Sequence, residues 1–221
     1  MKPFFATDNL AGVLVLATTI AAVLVEWGVT LRERFAGEWS LGRSVRLAAA
    51  TLREVTLQRR GERRTEDRNT KWMIVGSAAV ALVVAWAAHQ RLRGLAFPAT
   101  GWAPTILGVA VIWAGIGLRA WAIATLGRFF RRDVQVAADQ VVVRSGPYAT
   151  IRHPAYTGNL LVYAGIGLLL ANWASLAVMV VVPLLGLAPR IAVEESVLQA
   201  RLGESYRQYA GETSRLIPRL W

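Results

Sequence analysis

Along this chain, long apolar runs alternate with arginine-rich connections, and the spacing of the runs predicts helices that cross a membrane. Five apolar segments stand out, at about residues 10–29, 72–88, 104–126, 155–170 and 174–187. A membrane-crossing helix needs about 20 predominantly apolar residues, a length the first and third runs reach and the second approaches. The last two are shorter. At a rise of 1.5 Å per residue each covers about 24 Å or less, against a hydrocarbon core of roughly 30 Å. Joined by the tight link 171–173, they are expected to form a short helical hairpin. The fold class expected is therefore an all-α integral membrane protein with about five transmembrane helices, followed by a C-terminal amphipathic helix.

The connections set an orientation. Residues 31–71 contain eleven Lys or Arg, and residues 127–154 contain Arg128, Arg131, Arg132, Arg144 and Arg152. Residues 88–103 contain only Arg91 and Arg93. Cytoplasmic loops collect positive charge, so the first two connections and the C-terminal tail are expected on the cytoplasmic side, with the N-terminus outside. The 31–71 connection is too long for a turn. Apolar residues recur among its arginines, as in a helix lying on a membrane surface, and its second half reads as solvated loop or a helix extension. The run at 10–29 lacks a clear small-residue cleavage pattern after it and is read as a retained helix rather than a signal peptide.

Smaller features refine the outline. Val134, Val136 and Val141 to Val143 around a turn at Ala138 and Asp139 suggest a small β-hairpin over 133–148. Gly146 and Pro147 stop it, and Pro154 opens the fourth helix. In the tail, Leu198 and Leu202 lie four residues apart, with Glu194 and Tyr206 on the same stripe, predicting an amphipathic helix over 190–210. Gly115 and Gly117 are read as close helix packing. Asn172 suits a cap for the hairpin. Trp27, Trp72, Trp102 and Trp173 fall at segment ends, as in an interfacial belt.

Composition narrows the chemistry. The chain is 55% hydrophobic with a formal net charge of +11. The basic residues lie between apolar segments, so they are read as topogenic charge beside anionic lipid and not as a nucleic-acid surface. There is no cysteine, which excludes disulfides, thiolate metal sites and cysteine nucleophiles; with only two histidines, no metal site is expected. Lysine occurs only twice, at Lys2 and Lys71. The arginine bias suggests a GC-rich bacterial genome, and with it the cell's inner membrane.

The densest set of unusual residues runs from Ser145 to Gly158. It combines a rigid turn at Gly146 and Pro147 with Tyr148, Arg152, His153, Pro154 and Tyr156, all beside a membrane helix. A helix N-terminus there leaves backbone N–H groups partly positive. Arg152 supplies a fork suited to a carboxylate, and His153 an imidazole, a group able to give or take a proton. The same residues also suit headgroup anchors and an aromatic belt. Glu194 and Glu195 read either as ligand acceptors or as a charged helix start favoured by the helix dipole. Arg119, inside the third run, reads equally as a functional intramembrane charge and as a snorkelling anchor.

Gly146-Pro147-Tyr148, Arg152-His153-Pro154, Tyr156 and Gly158 together resemble the signature of the isoprenylcysteine carboxyl methyltransferase family and its phospholipid N-methyltransferase relatives. A second block matches downstream: Glu194-Glu195, Leu198, Gly203, Tyr206, Tyr209, Arg215 and Pro218. The two cover about residues 105–218. Leu202 stands where the family pattern has an aromatic residue and Thr213 where it has an aliphatic one.

The resemblance implies a membrane-embedded methyltransferase that uses S-adenosylmethionine, with a cofactor pocket within 144–218 that faces the cytoplasm and an entrance from the lipid. Residues 1–71 are then a first helix and basic connection, and 72–221 the methyltransferase-like membrane domain. Implied cofactor contacts are Tyr148, His153, Pro154, Tyr156, Glu194 or Glu195, and Tyr206 or Tyr209. Arg152 and Arg215 are implied as the catalytic cations holding an anionic substrate group, with Arg119 as a further substrate contact. The expected acceptor is a lipophilic or lipidated molecule, first of all the carboxylate of a prenylcysteine-like substrate. A phospholipid, amine or thiol acceptor is the alternative, as is a membrane sterol-type reductase using a nicotinamide cofactor. The reductase pattern places Asn before the tyrosine and an acid after the glycine, whereas this chain has Ala155 and Asn159. No inverted repeat suggests a transporter.

Overall fold

The computed structural model describes residues 65–98, 102–130 and 140–221. The expected first helix at 10–29, most of the basic connection and the first half of the expected β-hairpin lie outside the described residues.

Five α-helices are described: α1 (Thr65–Arg91), α2 (Ala103–Leu126), α3 (Pro154–Leu169), α4 (Trp173–Leu202) and α5 (Glu204–Glu212). Among the described residues, three helical stretches are long and apolar enough to cross a membrane: Trp72–Arg91, Ala103–Phe129 and Trp173–Leu202. Their outward faces carry exposed apolar side chains such as Val83, Ile106 and Leu185, which water does not favour and lipid accepts. Helix α1 begins at Thr65, so the end of the basic connection is a helix extension.

The expected hairpin is unequal. Helix α3, with 16 residues, is short as anticipated, but α4 runs unbroken for 30 residues, about 45 Å at 1.5 Å per residue. The apolar run had ended before Pro189 and Arg190, where polarity returns; the helix continues because those residues are covered by neighbouring helices. It holds Pro183 and Pro189 internally. Neighbouring helices make such prolines tolerable in membrane segments. The expected amphipathic helix over 190–210 is thus two pieces: the end of α4, and α5 after a break at Gly203, whose φ of +57° favours glycine. Glu194 and Glu195 consequently sit within the last part of a helix, not at its start.

Sequence punctuation accounts for the other ends. Pro154 occupies the first turn of α3, where its missing N–H is harmless. Asn172 caps α4 as expected, its Oδ1 accepting from Ser175 N at 3.2 Å. Residues 140–144 form no strand, and Gly146–Ala149 is a 3₁₀ turn. Among the described residues the β-type pairing is confined to two isolated bridges, Ala96 with Asn172 and Ile151 with Ser214.

Helix α2 packs along α3 and α1 along α4, with α3 and α4 joined as a hairpin. Glycines bring α2 and α3 together. A Cβ on Gly115 would lie 2.5 Å from the Gly158 carbonyl oxygen, and one on Gly165 would lie 2.7 Å from that of Gly108. Small residues let helix backbones approach closely in a membrane. Gly117 does not share this role, because nothing lies within 4 Å of a Cβ placed there. Between α1 and α4, Ala81, Ala85, Leu170 and Met179 are buried together. At one end of the bundle the start of α1, the ends of α2 and α4, the start of α3 and the tail converge around Leu187, Ile191, Leu216 and Tyr148.

Candidate active site

At that end the two sequence blocks are stitched together by backbone. Arg152 N donates to Ser214 O at 2.8 Å, His153 N to Arg215 O at 3.0 Å, and Ser214 N to Thr150 O at 3.1 Å. Thr157 Oγ1 adds a bond to Leu216 O at 2.8 Å. The tail therefore lies across the entry to α3, and side chains far apart in sequence become neighbours.

Glu195 is the hub. Its Oε1 accepts from Arg152 Nε at 2.9 Å and lies 3.3 Å from His153 Nε2, while Oε2 accepts from Arg215 Nε at 3.0 Å. Arg152 is buried in this pair, with 9% of its side chain exposed. Its Nη1 also donates to the carbonyls of Ala210 and Thr213 at the end of α5. A buried guanidinium with a carboxylate and two carbonyls has the partners that its desolvation requires. Arg215 is more open, with 41% of its side chain exposed, and packs on the Trp221 ring.

A second group lies beside the first. Tyr156, in the first turn of α3, donates through its hydroxyl to Glu194 Oε2 at 2.8 Å. Its ring stacks on His153, with centroids 5.7 Å apart. Arg119 reaches from α2 to donate to Ala155 O at 3.2 Å, so it braces the start of α3. Tyr148 and Tyr209 are buried and joined, Tyr209 Oη donating to Tyr148 O at 2.8 Å. Burial pushes the Tyr209 hydroxyl up to about 12, and it pushes those of Tyr148 and Tyr206 up as well.

Tyr206 differs from the rest. It is 3% exposed, and its hydroxyl is the one buried side-chain polar atom among the described residues with no hydrogen-bond partner. It sits in the electrostatic reach of Glu195, Arg152, Glu194 and Tyr209. Leaving such a group unsatisfied costs about 1–3 kcal/mol, so an orphan among charges marks a place for a ligand.

Every residue expected for the site thus converges here: Tyr148, Arg152, His153, Pro154, Tyr156, Glu194, Glu195, Tyr206, Tyr209, Arg215 and, from α2, Arg119. Three contributors escaped the sequence reading. Arg190, in α4, is 3% exposed and reaches Tyr156; Thr70, in α1, meets Arg190. Arg144 joins Glu212 at 2.9 Å and lies over the Tyr209 ring. Arg190 had a visible signal, a charge four residues before Glu194 on an apolar helix, whereas Thr70 had none. Among the described residues no group of His, Asp or Glu could hold a metal ion.

Comparison with known proteins finds similarity over the same helices. The model of the isoprenylcysteine carboxyl methyltransferase (ICMT) family matches residues 106–200. Protein-S-isoprenylcysteine O-methyltransferase B of Arabidopsis thaliana is 32% identical over 119 residues, which cover 53% of this chain and 60% of that protein. The cobalt-zinc-cadmium resistance protein CzcN of Cupriavidus metallidurans is 30% identical over 130 residues, 58% of this chain and 59% of that one. The solved structure of the eukaryotic intramembrane Ras methyltransferase ICMT superposes with a TM-score of 0.55 at 31% identity, covering 64% of this chain and 52% of that one. The matches therefore span about 60% or less of each relative's length. Over residues 106–200, which take in most of α2, all of α3 and most of α4, the chain is similar to the isoprenylcysteine carboxyl methyltransferase family.

Proposed function

We propose that the protein is an S-adenosylmethionine-dependent methyltransferase acting at the membrane on a lipophilic acceptor, first of all a prenylcysteine-like carboxylate. The observation that carries this reading is the unpartnered, buried Tyr206 hydroxyl inside a cluster of carboxylates and guanidinium groups built from both family blocks. That donor set fits the cofactor's amino-acid and ribose groups, which need both acceptors and donors. Tyr206 and Glu194 are the contacts we assign first, with Tyr148, His153, Pro154, Tyr156 and Tyr209 shaping the walls. S-adenosylmethionine supplies a methyl group already activated on a sulfonium.

The chain's own part is positioning and exclusion of water. A carboxylate acceptor is ionised near neutral pH and needs no general base, but it needs a cation to orient it. Arg215 suits that task, because its guanidinium is partly exposed and among the described residues only Nε is committed to Glu195. Arg152 is bonded on Nε and Nη1 and acts instead by holding α5 and the tail over the site. An amine or thiol acceptor would need a proton removed, with His153 the nearest candidate. The site is assigned to the cytoplasmic face because the arginine-rich 127–154 connection adjoins it.

The test is a labelled-methyl assay with purified protein, run in parallel on a prenylcysteine analogue, phosphatidylethanolamine and a small alkyl thiol. Transfer to the prenylcysteine analogue alone supports the full reading. Transfer only to one of the others keeps the methyltransferase and replaces the acceptor, and no transfer to any, with no cofactor binding, refutes the proposal.

A further inference from the structure

Resting on the proposed cofactor role of Tyr156 and Glu194, we propose that Arg190 is a positioning residue that orients these two side chains and couples helix α1 to the site. Arg190 lies one helical turn before Glu194 on α4 and is 3% exposed, between helices rather than at an interface with water. A charge buried in a membrane segment is costly and is retained where it has partners and a task. Its Nη1 donates to Thr70 Oγ1 at 3.1 Å, and its Nε to Tyr156 Oη at 3.4 Å. Tyr156 then donates to Glu194 Oε2 at 2.8 Å.

The order of these bonds matters. A phenol has one hydrogen to give, and the guanidinium only donates. With Arg190 aimed at the Tyr156 oxygen, that oxygen accepts from the guanidinium and its hydrogen is directed to the carboxylate. Glu194 is thereby held by Oε2, which leaves Oε1 to meet a donor on the ligand. Thr70 fixes the far end of the guanidinium from α1, so a displacement of α1 along α4 would pass to Tyr156 and Glu194 through a single side chain. Helices α1, α3 and α4 are linked in this way at the rim of the site.

A double-mutant cycle on cofactor affinity tests the inference, using the full chain in detergent with S-adenosylmethionine as titrant. Arg190→Lys, which keeps the charge and loses the fork, and Tyr156→Phe should each raise the dissociation constant about tenfold, as expected for loss of a hydrogen bond to a charged group. The double variant should be no worse than about tenfold, because both changes break one chain. Effects that multiply, or an Arg190→Lys protein that loses thermal stability at unchanged affinity, would overturn the positioning role. A second readout does not depend on the cofactor: fluorotyrosine placed at position 156 should change its fluorine resonance in Arg190→Lys and, less, in Thr70→Val. An unmoved resonance refutes the inference even if the wild-type protein binds no cofactor, an outcome that would refute the methyltransferase reading separately.

Discussion

Arg152 and Glu195, 43 positions apart in sequence, meet Nε to Oε1 at 2.9 Å, and through this pair the entry of α3 is fastened to the end of α4. The same guanidinium holds the last carbonyls of α5. Arg152→Ala should therefore release α5 and the tail, reducing methyl transfer by about a hundredfold or more and weakening cofactor binding with it. Arg152→Lys should recover little, since an ammonium cannot span a carboxylate and two carbonyls at once. Parallel activity and binding assays check this. Retained cofactor affinity with lost turnover would assign Arg152 to the substrate instead.

Glu195 pairs with two arginines through its two oxygens. Glu195→Gln keeps the volume and removes the charge, so it should destabilise the protein by about 2 kcal/mol, less than for a fully buried pair because Arg215 is partly exposed. Unfolding in detergent measures the change.

Tyr206→Phe should separate affinity from stability. Removing a hydroxyl with no partner should leave the unliganded protein as stable or slightly more so, while S-adenosylmethionine binding weakens about five- to tenfold. Calorimetry of ligand binding beside a thermal melt distinguishes the two effects.

The glycines give a paired prediction. Gly158→Ala forces a Cβ to within 2.6 Å of the Gly115 carbonyl oxygen, backbone that cannot easily yield, and should cost about 2 kcal/mol. Gly117→Ala meets nothing within 4 Å and should be neutral or mildly stabilising. Melting temperatures of the two variants check this.

Tyr209 sets an alkaline limit. Its hydroxyl titrates at about 12 in the folded protein and about 10 unfolded, so the folded state holds the proton more tightly. The resulting stability is fully present below pH about 10 and is lost as pH rises toward about 12. Tyr209→Phe should flatten the stability profile over that window in a pH series of melts, and Tyr148 and Tyr206, shifted the same way, should retain part of the slope.

Much of the site was legible because its residues are chemically unusual where they stand. Arginine, histidine and two tyrosines beside prolines at a helix entry stand out against an apolar background, and so do paired glutamates followed by spaced tyrosines. Helix starts were legible at Pro154 and Asn172 for the same local reason. What sequence did not display was how charge is distributed over partners. Arg152 read as a free fork for a substrate, yet Glu195 and the carbonyls of α5 occupy it, and those lie 43 or more positions away. The end of α4 was misplaced because polarity at Pro189 and Arg190 looks like an exit to water, whereas Thr70 and Tyr156 cover the guanidinium. Gly117 could not be told from Gly115, since only the rotation of α2 against α3 separates them.

The proposed reaction is transfer of a methyl group from S-adenosylmethionine to a lipophilic carboxylate. It is tested most directly by incubating the purified protein with methyl-labelled cofactor and N-acetyl-S-farnesylcysteine, then treating the extracted product with alkali. The expected result is saturable incorporation into the lipid that is released as volatile methanol, the mark of a methyl ester, and is lost in Arg215→Ala. Label that resists alkali, or no incorporation by folded protein that binds the cofactor, would contradict it.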